Sequence, residues 1–484
     1  MASEFDLQLP TPVDGLTATH AEYDKFAPLV QRCRDTVEGD DKIKEAGTLY
    51  LSMLEEESRD EYDARRRSAC VFDAADKTLD AMLGALFTKP PTTLLPDAIT
   101  PHLENIDLAG TPYEGFRQTV ASERLETGRV AVFVDYSAEQ ARPFFRLYEW
   151  EQIRNWQTRI VGGRAVLSQV VLCETIGAPA ATGFGSASVE QYRVLELDAA
   201  GKFISRVFTR PDEADPKAQK FIETVTTPSI HGRPWMGEIP FVCFGRLDLS
   251  PQPQKPPLLS IANLQLDHYR LSVDQRHALH LGAMGGLFVI GDGDPELSKR
   301  YYLGGTRANR LAAGASAEFV EFQGGVLEQI KSEKAAIQER IGLLGVRMLL
   351  APKREAETAA ALAIQRDGET ASLSTISYGI SLGLTKCWRF YAMWMGLNSK
   401  DVSDTLNRDF VNHRLSPEET LAQMQLVQSG YLSEQSFIEN LFAGEISRDP
   451  ETERDRIDTQ PPRVEPGDGN ALVDDETNAA DAAA

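Results

Sequence analysis

Between Gly324 and Leu397 the apolar residues fall into two helical patterns separated by a basic interruption. Leu327, Ile330, Ile337, Ile341, Leu344 and Met348 recur at three- and four-residue steps, or multiples of them, which places them on one face of a helix. Lys334 interrupts that stripe, while Glu333, Glu339 and Arg340 lie off it. Pro352 stops the helix, because proline lacks the donor a further turn needs. The polar run Lys353-Arg354-Glu355 follows. A second pattern then runs through ETAAALAIQRDGETASLSTISYGISLGLTKCWRFYAMWMGL. It is long for a helix of a globular protein, and a bend is expected near Gly368 or Gly379.

The rest of the chain reads as α+β. Residues up to about Gly15 form a flexible arm, and a helix follows with Tyr23, Phe26, Val30, Cys33 and Val37 on one side. From Arg59 to Phe87 helical spacing of Tyr62, Phe72, Leu79, Met82, Leu83 and Leu86 predicts one strong element, ended by Lys89-Pro90-Pro91. Thr111-Pro112 reads as an N-cap hydroxyl with proline at the first helical position, and Gly128 as the residue that ends that helix. The runs RVAVFVDYS, PFFRLYEW, AVLSQVVLCE, QYRVLELD and KFISRVFT make residues 129–245 a mostly β region, a sandwich or open barrel. After a proline-rich junction a helix opens near Pro257 and runs through LSIANLQLDHYRLSVDQRHALHL. A glycine-rich stretch with short β runs and several basic residues then reads as a small module inserted between two helices. Beyond the long helix, two short helices are joined by a Gly-Tyr-Leu-Ser turn. From about Asp449 an acidic stretch rich in Pro, Gly, Asp and Ala is expected to be disordered.

Composition narrows the class. A chain of 484 residues exceeds one core, and two to four domains are expected. A formal charge of −22 argues against a coat that grips nucleic acid, which would be basic. The five cysteines are far apart and form no CxxC pair, so no disulfide framework or zinc ribbon is indicated and a reducing cytosol is the natural setting. The N-terminus lacks the basic start and apolar core of a secretory signal, and the longest apolar run is far short of a membrane span. A soluble protein, or part of a soluble assembly, is expected.

Candidate chemistry is thin. His277 and His280 are three apart with His268 and Asp274 nearby, but no third ligand is motif-like, so packing or intersubunit hydrogen bonding is the reading and no metal is expected. Gly291-Asp292-Gly293-Asp294 lacks the later glutamate of a calcium loop and reads as a turn. Gly183-Phe184-Gly185-Ser186 lacks the final glycine of a dinucleotide fingerprint. No P-loop, GxSxG or HExxH occurs, which favours a non-enzyme without a cofactor. Arg65-Arg66-Arg67 reads as a solvated face or an intersubunit ion-pair row. Trp388, Phe390, Tyr391 and Trp394 read as core or subunit packing, since Arg389 is the one basic residue among them and a nucleic-acid groove requires several.

The order of these elements resembles that of a tailed-bacteriophage portal protein. The phrases EAGTLYLSML, RRRSACVFDAADKTLDAMLGALFTKPP, ETGRVAVFVDYS, RPFFRLYEWEQIRNW, LLSIANLQLDHYRLSVDQRHALH and GLLGVRMLLAPKREAETAAALAI are similar to a subfamily filed as a phage domain of unknown function and taken to be portals. LVQSGYLSEQSFIENL resembles an ending common among portals, and the likeness covers most of residues 20–450. It implies a ring of about twelve copies at one capsid vertex around a channel for duplex DNA. By order, residues 1–256 would be arm and wing, 257–281 stem helix 1, 282–324 a small α/β clip, and 325–350 stem helix 2. Residues 351–356 would be the channel loop, 357–414 the long spine helix and its return to the wing, 415–448 a helical crown and 449–484 the acidic tail. Lys353, Arg354 and Glu355 would then face the DNA, Lys299, Arg300, Arg307 and Arg310 would lie on the clip surface, and the Leu327–Met348 stripe would pack the stem. Implied partners are further copies of the chain, the terminase large subunit, the major capsid or scaffolding protein and a head-tail adaptor, with no membrane. Implied locations are the virion's portal vertex and, during assembly, the host cytoplasm. A channel of net negative charge would centre a duplex weakly, since screening at physiological salt acts over ~10 Å. Another virion structural protein, such as a head-tail adaptor or minor capsid protein, is the runner-up; a hydrolase using the β region is the third reading.

Overall fold

The computed structural model describes residues 11–12, 15–161, 163–179, 186–210, 220–230, 233–235, 237–245, 248–284, 286–290, 316–320, 325–346, 359–408, 417–443 and 450–459. The fold is α+β, in two units divided between Phe410 and Val411.

The first unit opens with a two-residue strand, β1 (Thr11–Pro12), and then helices α1 (Ala21–Glu38), α2 (Asp40–Glu45), α3 (Arg59–Ser68) and α4 (Ala74–Leu86). The single element expected from Arg59 to Phe87 is therefore two. Ser58 and Glu61 close a capping box at the start of α3. The chain then turns extended at Ala69. The break is fixed by distant partners: Asp40 accepts from the Val71 N–H at 2.9 Å, and the Gln265 side chain accepts from the Ala74 and Ala75 N–H groups at 3.1 and 2.8 Å. Those N–H groups are orphans of the α4 N-terminus, and a side chain almost two hundred positions away in sequence satisfies them. Helix α5 (Tyr113–Thr127) begins one residue after the expected start, with Pro112 itself as the extended N-cap. Gly128 ends it at φ 83°, where a Cβ would also approach the Gln254 carbonyl to 3.0 Å.

The β region forms two antiparallel sheets. With β2 (Thr92–Leu94) set apart, the strands are β3 (Val130–Ser137), β4 (Arg142–Tyr148), β5 (Ile153–Val161), β6 (Arg164–Pro179), β7 (Ser186–Leu197), β8 (Phe203–Thr209), β9 (Lys220–Thr226), the short pair β10 (Ser229–Ile230) and β11 (Arg233–Pro234), and β12 (Phe241–Phe244). One sheet runs β1-β9-β8-β7-β6-β5 and the other β12-β3-β4. Residues of both, such as Phe133 and Phe203, lie in one apolar core with α1, α4 and α5. Arg129, at the α5–β3 joint, is fully buried between Trp150 and Trp156 and donates to the carbonyls of Pro251, Trp150 and Ile153. Glu174 of β6 accepts from Tyr148 of β4 and from Arg193 of β7 at 2.7 Å, so one buried carboxylate ties the two sheets.

The unit continues through α6 (Leu259–Met284), the hairpin β13 (Gly286–Ile290) and β14 (Ser316–Val320), α7 (Gly325–Ile341), a π turn (Gly342–Val346), the 36-residue helix α8 (Ala359–Trp394) and β15 (Ser403–Thr405), which pairs with β2. The regular part of α7 ends at Ile341, well before Pro352, and residues 347–358 lie outside the described ones. The second unit holds α9 (Pro417–Gln428), α10 (Glu434–Ala443) and α11 (Pro450–Thr459). Gly430 at φ 76° makes the expected turn between the first two, and Ser433 accepts from the Ser436 N–H at 3.1 Å as the cap of α10. Residues 450–459, expected to begin a disordered tail, form α11; residues 460–484 lie outside the described ones.

Candidate functional site

The helix pair α6 and α7 is antiparallel: Gln338 meets His268 at 3.1 Å, and Lys334 donates to Gln275 at 3.0 Å. One end of the pair is rooted in the body. Leu258, Leu259, Ile261, Ala262, Leu266, Tyr269 and Val273 of the α6 half are buried, as are Ile337 and Ile341 of α7. Gly345 in the π turn is pressed against the same root, where a Cβ would come within 2.7 Å of Thr78 and 2.8 Å of Ile261. Towards the other end Leu279 and Val326 are exposed, and the β13–β14 hairpin follows. Of the expected stripe, Ile337 and Ile341 are buried, Leu327 and Ile330 half-buried and Leu344 exposed, and Met348 lies outside the described residues.

Between the helices lies a polar seam. His268 is buried, lies tilted against Phe72 with ring centroids 5.3 Å apart and faces the Ser272 hydroxyl at 3.5 Å. Burial, and then the charge of Lys334, push its imidazole down to about 4, so it is neutral at physiological pH. Burial and the nearby Arg276 also lower the Lys334 ammonium, the cation that interrupts the α7 stripe. Among the described residues no group of three His, Cys, Asp or Glu is placed to hold a metal ion.

Helix α8 fastens the excursion to the body. Trp388, Phe390, Tyr391 and Trp394 are all buried, as packing rather than a stacking platform. The Trp388 indole donates to Tyr113 at 2.9 Å, Tyr113 donates to Asp404, and Arg117 holds the same carboxylate at 3.0 Å. The Asp404 N–H donates to Thr385 at 3.0 Å, and Thr385 donates back to the Asp404 carbonyl at 3.1 Å. Burial raises both Tyr113 and Asp404, the latter against the pull of Arg117. Local spacing gave no sign of this knot, whose members come from α5, α8 and β15.

The arginine triplet is not one solvated face: Arg65 is buried, Arg66 half-buried and Arg67 exposed. Arg65 is buried and pairs with Glu57 at 2.6 Å, Arg66 donates to the Lys44 carbonyl and pairs with Asp63 at 3.2 Å, and Arg67 donates to the Asp63 carbonyl at 3.0 Å. All three are used within one chain. Lys353, Arg354, Glu355, Lys299, Arg300, Arg307 and Arg310 lie outside the described residues, as do Gly183, Gly185 and residues 291–294.

A family model described as a domain of unknown function (DUF4055) matches residues 257–395, from the root of α6 to the end of α8. No curated protein matches the chain. Among solved structures, a chain in the virion of a native gene transfer agent (GTA) particle is 12% identical, with a TM-score of 0.37, covering 83% of this chain and 98% of that one. A chain in the neck of an empty GTA particle, computed with C6 symmetry, is 13% identical with a TM-score of 0.38, covering 81% and 96%. A chain in the neck of a native GTA particle, computed with C12 symmetry, is 12% identical with a TM-score of 0.38, covering 77% and 89%.

Proposed function

We propose that this chain is the subunit of a phage portal: a ring at one capsid vertex that conducts DNA during packaging and ejection and carries the terminase and the tail or adaptor proteins. The observation that carries this reading is the α6–α7 excursion. It is an antiparallel helix pair rooted in the core at one end and exposed towards the other, with a β-hairpin beyond it and a 36-residue helix returning to the body. This is the order of stem, clip, stem and spine implied by the sequence resemblance. An arm of this kind gains its missing cover from neighbouring copies, and head-to-tail contacts between copies close into a ring when the rotation allows. In this reading α6 and α7 are the stem, residues 282–324 the clip, residues 351–356 the channel loop and α9–α10 the crown. Lys353 and Arg354 then face the duplex, and Lys299, Arg300, Arg307 and Arg310 face DNA or a partner.

Electron microscopy of the purified full-length protein tests the proposal. Closed rings with a central channel are expected. A protein that stays at single-chain mass across concentration, or that forms open filaments only, would overturn it.

A further inference from the structure

Two surfaces on opposite sides of α6 are complementary in charge and in apolar character. The first is the loop of residues 52–56 before α3. All five residues are exposed, Leu54 by 50%. The loop is nevertheless held: buried Arg65 donates to the Ser52 carbonyl at 2.8 Å and to both Glu57 carboxylate oxygens at 2.6 and 2.8 Å. The Leu54 N–H donates to the Glu57 carboxylate at 2.9 Å, and the Glu57 N–H donates to the Leu54 carbonyl at 3.2 Å. Glu56 sits at φ 64°, a left-handed conformation that costs a non-glycine residue ~1 kcal/mol. The fold thus spends strain to keep a rigid tongue that shows Met53, Leu54, Glu55 and Glu56 to solvent.

The second surface is a cleft of ≈ 390 Å³ between α6, α7 and the segment after α3. His268, Ser272, Gln275 and Leu279 line it at the spacing of one helix face, and Phe72 and Leu279 give it exposed apolar walls, 40% and 46% exposed. Its cations are Arg276 and Lys334, and neither pairs with a carboxylate among the described residues. The tongue belongs to the other side of the helix. Arg270 donates to the Tyr50 carbonyl at 2.8 Å, Asp274 acts on Arg65 and His277 acts on Glu57. Position 270 is ~200° around the helix from position 268. A chain therefore presents tongue and cleft back to back and cannot place one in the other.

We propose that the tongue of one copy docks in the cleft of the next, with Leu54 against Phe72 and Leu279 and with Glu55 and Glu56 facing Arg276 and Lys334. The occupant is a second copy because the chain supplies both halves of the match. In a chain of net charge −22, two cations left without carboxylates beside an apolar wall select an acidic, apolar tongue. The contact joins different surfaces, so it repeats head to tail as a ring requires, and the inference rests on the ring reading above.

The test uses full-length protein in two charge-reversed forms, E55K/E56K and R276E/K334E, with mass measured by analytical ultracentrifugation and native mass spectrometry. Far-UV circular dichroism and melting serve as folding controls. Each form alone is expected to raise the concentration for half assembly by roughly 100-fold, the size of a like-charge juxtaposition. An equimolar mixture is expected to recover wild-type assembly, because both junctions between the two forms are again opposite in charge. Either folded variant assembling as wild type would overturn the inference while leaving the ring reading intact. Two failed variants with no recovery on mixing would show that these charges do not face each other, and would also overturn it. A wild-type protein that is monomeric throughout would instead overturn the ring reading, and the pairing with it.

Discussion

Replacing Gly383 by alanine tests whether α8 is seated against the β12–β3–β4 sheet as closely as described. A Cβ at this position would lie 2.3 Å from Phe244 Cε1, 2.5 Å from Cδ1 and 3.0 Å from Cζ. The Phe244 side chain cannot swing away, because it is fully buried in the main core. Helix, ring or both must shift, and forcing a methyl into a packed interior costs about 1–3 kcal/mol. Alanine is the better helix former by about 1 kcal/mol, which offsets part of that cost. A 2.3 Å approach to a ring that cannot yield belongs at the upper end of that cost, so the net expectation for Gly383→Ala is a loss of about 2 kcal/mol. Gly84→Ala is the control: Gly84 is exposed in α4 with nothing within 4 Å of its added Cβ. There only the helix term remains, and a gain of about 0.5–1 kcal/mol is expected. Chemical denaturation followed by tryptophan fluorescence reads the difference, since α8 contributes Trp388 and Trp394. A Gly383→Ala protein as stable as wild type, or a Gly84→Ala protein clearly less stable, would refute the reasoning.

Three further perturbations follow, two from the same structure and one from the proposed portal role. Arg34 faces Glu123, Glu126 and Glu151 at 2.7, 2.9 and 3.0 Å, and burial, with Glu123 adding to it, raises the Glu126 carboxyl to about 7. Its folded pKa exceeds the unfolded 4.5, so the folded state holds the extra proton between these values and stability falls as pH rises from 4.5 to 7, by at most about 3 kcal/mol. Glu126→Gln should flatten that slope in denaturation midpoints taken at pH 5 and pH 8; an unchanged slope would contradict the assignment. Arg65→Ala removes the anchor of residues 52–57 and leaves Glu57 unpaired, at a cost of about 2–3 kcal/mol, and limited proteolysis should cut within that loop faster than in the wild type. In the portal reading proposed above, Lys353→Ala with Arg354→Ala should leave ring formation intact while changing packaging yield; loss of rings would make the loop structural.

What the sequence showed and what it hid divide along a physical line. Elements whose own spacing or end residues carry the signal were legible: α1 with its Tyr23–Val30–Cys33 side, the strands β3, β4, β6, β7 and β8, the Gly128 stop and the turn between α9 and α10, while β5 was missed. Features set by distant partners were not. The break between α3 and α4 depends on Gln265 and Asp40, and even at short range nothing in the spacing showed that Glu57 and the Ser52 carbonyl would turn Arg65 inward. The start of α11 was hidden by composition, since Pro450–Thr459 is as charged as a disordered tail. At the candidate site, Lys334 stood out as the break in an apolar stripe and His268 as one of a group of histidines, but nothing local showed that the two meet across a helix pair.

The buried knot at Asp404 also bears on when the chain can fold. Tyr113 and Arg117 wait for a carboxylate almost three hundred residues downstream, and β1 waits for Phe221 and Lys220 of β9. Such long closures are slow and leave apolar surface open until they are made. During synthesis α5 and β4 emerge well before Trp388 and Tyr391 can cover Phe145. The body is therefore finished only after most of the chain has left the ribosome. Nascent chains paused before residue 404 should bind chaperones, and only completed subunits should enter an assembly.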